Sequence, residues 1–309
     1  MSRYSRELSV LAVLAAMLLA LGVWAPGFYR LQPLLSLATR EAPVLVVACG
    51  MVLVVIARQI DISVGSQFSI CSVAGGLLAA AGWPMVLVVP ASVAIGAMLG
   101  MLNGALVAGL GLPSIVVTLA MLVTLRQGLN LFRQGEFVTL PDGVQWFGLS
   151  QSVGQALILA ATGVLVIVLA AALRHVALGR QIYAVGSDAE ASRLAGIRPR
   201  WVTFFAFAAL GALTGLAAAM NVVQSPQVQP LSGNGMELKV IAAVVVGGVA
   251  ISGGRGTLWG ATAGLMVLAC ISPALVHLHI EAYWEKAIQG AVILLAAIAE
   301  GLRRRRSDA

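Results

Sequence analysis

An all-α, polytopic membrane helical bundle is the fold this sequence predicts, and three observations predict it. Of its 309 residues, 60% are hydrophobic and 10% charged, with a mean hydropathy of +0.97, whereas soluble domains carry about 25% charged residues. Apolar runs near the ~20 residues that a spanning helix needs follow one another along the chain. Glycine is abundant, at 34 residues, as expected where helix backbones approach closely in lipid. An ordinary globular enzyme is excluded, because there is too little charge to cover its surface. The net charge of +7 does not point to nucleic acid. Its arginines gather at the ends of apolar runs rather than along one face.

The elements follow in order. Residues 8–24, behind Arg3 and Arg6, imitate a signal peptide but lack a small-x-small cleavage site, and further spans follow at once, so they read as a retained first helix. Nine more apolar runs cover residues 42–57, 62–80, 84–110, 113–131, 153–173, 201–222, 238–251, 257–276 and 287–298. That makes about ten spans in one transmembrane domain, 1–309. The second and eighth runs are short, which suggests tilted, broken or re-entrant elements. With the N-terminus placed inside, thirteen of the nineteen cations fall on the inner side, including the arginines at 174, 180, 193, 198 and 200 and those at 303–306. The positive-inside rule then puts both termini in the cytoplasm.

Small residues recur at four-residue spacing: Gly96, Gly100, Gly104 and Ala108; Gly211, Gly215 and Ala219; Gly260 and Gly264. Such stripes let helices touch, within the chain or between subunits. Residues 42–76 and 238–264 look loosely alike, each an apolar run, a short charged break and a glycine-bearing run, in the manner of transporter repeats. Cys49, Cys71 and Cys270 stand alone in apolar segments and read as small core residues.

The inner loop 174–200 is the most informative segment. Ser187 or Asp188 can cap a short helix over 189–194, Gly196 can stop it, and Pro199 lies beyond. Residues 184–197 read Ala-Val-Gly-Ser-Asp-Ala-Glu-Ala-Ser-Arg-Leu-Ala-Gly-Ile. This resembles the coupling segment in permeases of the ribose, xylose and rhamnose class of ATP-binding-cassette (ABC) importers, whose pattern is close to Ala-Val-Gly-x-Asn-x-x-Ala-Ala-x-x-x-Gly-Ile. Asp188 replaces the usual Asn, and Ser192 an Ala. Blocks 60–65 (Ile-Asp-Ile-Ser-Val-Gly), 100–107, 112–119 with Arg126, 237–248 and 252–256 resemble the same family, in order. Residues 145–148 (Gln-Trp-Phe-Gly) and 283–286 (Tyr-Trp-Glu-Lys) lean towards its rhamnose and furanosyl-autoinducer branch.

The resemblance implies a permease subunit that moves a monosaccharide or similar solute across the inner membrane by alternating access. Rhamnose or a related sugar is the best-matching solute. It also implies a separate ABC ATPase, a periplasmic solute-binding protein and a second permease chain, identical or not. Gly186, Asp188, Glu190, Ala191, Arg193 and Gly196 would form the segment that docks on the ATPase.

What is missing agrees. The only lysines, Lys239 and Lys286, follow no phosphate-loop pattern, and no His-Glu-x-x-His or Gly-x-Ser-x-Gly occurs. No cofactor is implied, and His277 and His279 with Glu281 are poorly spaced for a metal. Asp61 reads as a cap of the third helix, paired with Arg58, or as part of the pathway. Glu237 and Lys239 open the eighth run and can pair or line the pathway entrance, and Glu41 borders the second run in the same way. Asn103, Thr118, Thr124, Asn130, Thr214 and Asn221 are candidates for the pathway lining, with interhelical hydrogen bonding as their other role. A secondary transporter would need a carboxylate or His within a span, and an intramembrane enzyme would need paired catalytic groups. The sequence offers neither unambiguously.

Overall fold

The computed structural model describes residues 5–24, 29–278, 280–281 and 283–307. Thirteen helices account for most of them: α1 (Ser5–Trp24), α2 (Leu31–Ile56), α3 (Val64–Ala80), α4 (Met85–Gly104), α5 (Ser114–Arg133), α6 (Gln151–His175), α7 (Ala177–Ser187), α8 (Ala189–Leu194), α9 (Pro199–Gln224), α10 (Met236–Val246), α11 (Leu258–Ala269), α12 (Ile271–His277) and α13 (Tyr283–Ser307). A π-helical turn, Ala105–Gly109, extends α4, and the 3-10 turn Gln145–Gly148 precedes α6. Two short strands, β1 (Val138–Thr139) and β2 (Gln227–Val228), pair antiparallel with Val138 opposite Val228.

Among the described residues, six helical stretches are long and apolar enough to cross a membrane: Leu31–Ile56, Met85–Gly109, Ser114–Arg133, Gln151–His175, Pro199–Gln224 and Leu258–Val276. Shorter apolar helices cover Val10–Val23 and Val64–Ala80. The expected run 238–251 is instead the 11-residue α10, stopped by a turn at Gly247–Gly248. The run 257–276 is interrupted at Cys270, between α11 and α12. The run 287–298 lies inside the longer α13.

The second run departs most from expectation. It is no short span but a 26-residue helix with Pro43 inside it. Glu41, expected at the border of that run, lies within α2 together with Arg40. Glu41 is tolerated there because Lys239 neutralises it.

α2 is the hub, buried almost continuously from Ala42 to Ile56. It packs against α6, α9, α10 and α11. Its Val, Ala, Cys and Gly side chains are apolar on every side, the composition of a helix with no wet face. α4, α5 and α6 instead leave large apolar residues exposed, among them Val86, Val116, Val123 and Val164. Lipid is the medium that makes such a surface stable.

Two of the glycine stripes meet each other. A Cβ added at Gly96 would strike the Gly211 carbonyl and the backbone of Gly215, and one at Gly100 would strike Gly211. α4 and α9 therefore touch backbone to backbone, the most extensive helix contact in the chain. Gly260 and Gly264 likewise seat α11 on Gly247 and the Ala243 carbonyl of α10. All three stripes serve packing within the chain.

Candidate functional site

Three of the polar residues singled out from sequence converge at the break between α2 and α3. Arg58 turns the chain there with a φ of 64°. Asp61 follows, fully buried, and its Oδ1 accepts hydrogen bonds from the Ser63 amide at 2.8 Å and the Ser63 hydroxyl at 2.6 Å. Oδ2 accepts from Gln67 Nε2 at 3.1 Å and from Asn103 Nδ2 at 3.0 Å. The same two amides donate to Ser63 Oγ at 2.8 and 2.9 Å. Every donor hydrogen of Ser63, Gln67 and Asn103 at this point thus finds an acceptor, and Asp61 is held by neutral groups. Among the described residues no ion pair joins it to Arg58, and the residue at the N-cap of α3 is Ser63 rather than Asp61. Thr118 adjoins the knot, its hydroxyl donating to Ser114 O at 2.8 Å and lying 3.5 Å from Ile60 O. Asp61, Asn103 and Thr118 are fully buried and tie α3, α4 and α5 to the break. Thr214 bonds back along its own helix to Leu210 O. Thr124 is exposed, and Asn130 lies 3.5 Å from Gln127.

An open cavity lies elsewhere. A space of about 460 Å³ forms where the C-terminal end of α9 and the start of α10 face α2, α12 and α13. Its charged lining is Arg40, Glu41, Lys239 and Glu285. Lys239 Nζ sits 2.8 Å from Glu41 and 3.7 Å from Glu285, and Glu285 also accepts from Gln289 at 3.2 Å. Neutral polar groups come from Asn221, Gln224, Ser225, Ser232 and Ser272. Of the pathway candidates, Asn221 lines this space together with Lys239 and Glu41, the residues expected near the pathway entrance.

Glu237, two residues before Lys239 and so about 200° around the helix, is caught on another side. Its Oε1 meets Arg126 Nη2 at 3.1 Å. Its carboxylate occupies room left by the missing side chain of Gly65. The start of α10 is therefore ion-paired to α5 through Glu237 and to α2 and α13 through Lys239. Glu41, eleventh of the 26 residues of α2 and buried, is a carboxylate within a span, where the sequence offered none unambiguously. It is neutralised by Lys239 rather than free.

The segment 174–200 forms two helices, not one. α8 covers the residues expected, Ala189–Leu194, and Asp188 is its cap, accepting from the Glu190 and Ala191 amides at 2.9 Å each. Gly196, at φ +83°, ends it. Ser192 is buried, whereas Glu190, Ala191, Arg193 and Leu194 are exposed, with Leu194 at 81%. Glu190 and Arg193 pair with each other at 2.6 Å. Gly186 differs from the rest of the expected docking group. It lies in the last turns of α7 and is buried, where a Cβ would collide with the Ile56 carbonyl and the Gly254 amide. Gly254 N in turn donates to Ile56 O at 2.9 Å. The two breaks of the suspected repeat, 58–61 and 253–256, thus meet at this point.

Among the described residues no group of three or more His, Cys, Asp or Glu could hold a metal ion. His279 and the side chain of His277 lie outside the described residues.

A bundle of apolar helices with exposed apolar flanks defines a multi-pass membrane protein. The chain belongs to the family described as branched-chain amino acid transport system / permease component, which matches residues 34–297. It is a component of a transport system, not an enzyme. It is 32% identical over 301 residues to the autoinducer 2 import system permease protein LsrC of Salmonella typhi, covering 97% of this chain and 87% of that one. It is 29% identical over 304 residues to the ribose import permease protein RbsC of Escherichia coli K12, covering 97% and 94%. No solved structure matches.

Proposed function

We propose that this chain is the permease subunit of an ATP-driven importer that carries a monosaccharide-sized sugar across the bacterial inner membrane. The relatives' names, ribose import and autoinducer 2 import, support a sugar-like solute. Rhamnose rests on the short sequence likenesses at 145–148 and 283–286 alone. ATP is hydrolysed by a separate subunit, since neither lysine lies in a phosphate loop. A periplasmic binding protein delivers the solute, and a second permease chain completes the pathway in the lipid. Both termini and residues 174–200 face the cytoplasm.

The observation that carries this reading is α8. Asp188 fixes its start and buried Ser192 anchors it, while Glu190, Ala191, Arg193 and Leu194 stand out on a face with no cover in this chain. Docked on the ATPase, α8 passes motion to α7, and Gly186 passes it to both helix breaks. Ala191→Asp tests the docking. An unpaired charge desolvated in an interface costs several kcal/mol, and Ala191 is far from the buried hub. Normal membrane insertion with loss of ATPase co-purification and of uptake is expected. Wild-type uptake with the ATPase still bound would remove the docking assignment.

A further inference from the structure

We infer that the cavity at the start of α10 is a binding site for the solute in transit, that the solute it takes is small, uncharged and rich in hydroxyls, and that Lys239 touches it. The inference rests on the permease reading and names the place and chemistry within it. The walls carry two cations, Arg40 and Lys239, and two carboxylates, Glu41 and Glu285. With the charges balanced, no net field favours an ionic guest. A volume of about 460 Å³ lies within the ~300–1,000 Å³ of small-molecule sites. The lining is short of aromatics, with Phe68 as its one ring, and well supplied with amides and hydroxyls.

Several groups in the lining residues are not paired off. Gln224 Nε2, Ser232 Oγ and Glu41 Oε2 are buried with no hydrogen-bond partner. An orphaned buried polar atom costs about 1–3 kcal/mol, and three around one cavity point to a guest that satisfies them. Ser232 and Gln224 both belong to the lining of the space. A polyol supplies what they lack, because each hydroxyl both donates and accepts. Lys239 is placed to serve the same guest. Its ammonium has three donors; the hydrogen bond to Glu41 at 2.8 Å occupies one, and Glu285 stands 3.7 Å away.

The test is protection of an introduced thiol in the full-length chain. Cys49, Cys71 and Cys270 are replaced by Ala, Ser232→Cys is added, and the rate of N-ethylmaleimide modification is followed. The probes are D-ribose, D-xylose and L-rhamnose, against ribose 5-phosphate and glucosamine as charged comparisons. At about 50 mM, a neutral sugar with a Kd near 5 mM slows the reaction about tenfold, because only the free site reacts. Lys239→Met abolishes that protection, and Ser225→Cys, which lines the same space, reports it if the first variant folds poorly. Protection by the charged compounds, protection by none of the sugars, or protection that survives Lys239→Met overturns the inference. Co-purification of an ATPase with the wild-type chain is scored separately. Its absence refutes the permease reading, while its presence without protection refutes only the site.

Discussion

Asp61→Asn is an isosteric change whose cost follows from the hydrogen-bond arithmetic of the knot. The carboxylate accepts four bonds, two on each oxygen, and its neighbours there are donors. An amide keeps one oxygen and replaces the other by a second donor. If the nitrogen takes the Oδ2 place, it faces the amides of Gln67 and Asn103; at the Oδ1 place it faces the N–H and O–H of Ser63. Either way two buried donors lose their acceptor. At about 1–3 kcal/mol each, the loss is about 2–6 kcal/mol. The assay is the thermal midpoint of the purified chain in detergent, read by size-exclusion of the surviving monodisperse fraction. A fall of about 5 °C or more is expected. Asn103→Asp in the same chain restores a carboxylate–amide pair across the knot and should recover more than half of the fall. A single variant as stable as wild type, or a double variant no better than the single, would show that Asp61 is not held as an acceptor of four bonds.

Two other outcomes follow from the packing and the charge distribution. Gly100→Leu should reduce the yield of folded chain sharply, because even a Cβ there comes within 2.9 Å of Gly211 Cα and overpacking a tight contact costs about 1–3 kcal/mol or more; wild-type yield and melting would disprove the backbone contact of α4 with α9. Ser187→Cys, at an exposed position, should resist a membrane-impermeant thiol reagent in intact cells and react after permeabilisation, and labelling from outside would invert the assigned orientation.

Local features were legible in the sequence because their causes are local. Asp188, Gly196 and Pro199 delimit α8 and the start of α9 by cap and backbone chemistry within a few residues. The glycine stripes announced close helix contact through their spacing, although the spacing alone did not say that α4 would meet α9. Glu41 was misjudged because its partner Lys239 lies 198 positions away. A charge beside an apolar run looks like the end of a span until a distant counter-ion is known. Gly186 falls within the expected docking segment, and only the fold shows that its lack of a side chain lets it approach Ile56 and Gly254. Asp61, Asn103 and Thr118 lie far apart in sequence, and only the chain's path gathers them. The cavity residues Ser225 and Ser232 come from the irregular stretch between α9 and α10, where no periodicity exists to flag them.

The meeting of Gly186, Ile56 and Gly254 has a mechanical consequence. Contacts between side chains have slack, since a rotamer change can absorb a small displacement. This joint is made of backbone atoms, and the hydrogen bond from Gly254 to Ile56 is 2.9 Å long. A push arriving along α7 meets no spring there. It must either shift the end of α2 and the 253–256 turn together or prise the joint open. A strain gauge for the working cycle of this protein would therefore be best placed at that hydrogen bond, beside the end of α7 that leads into the exposed α8.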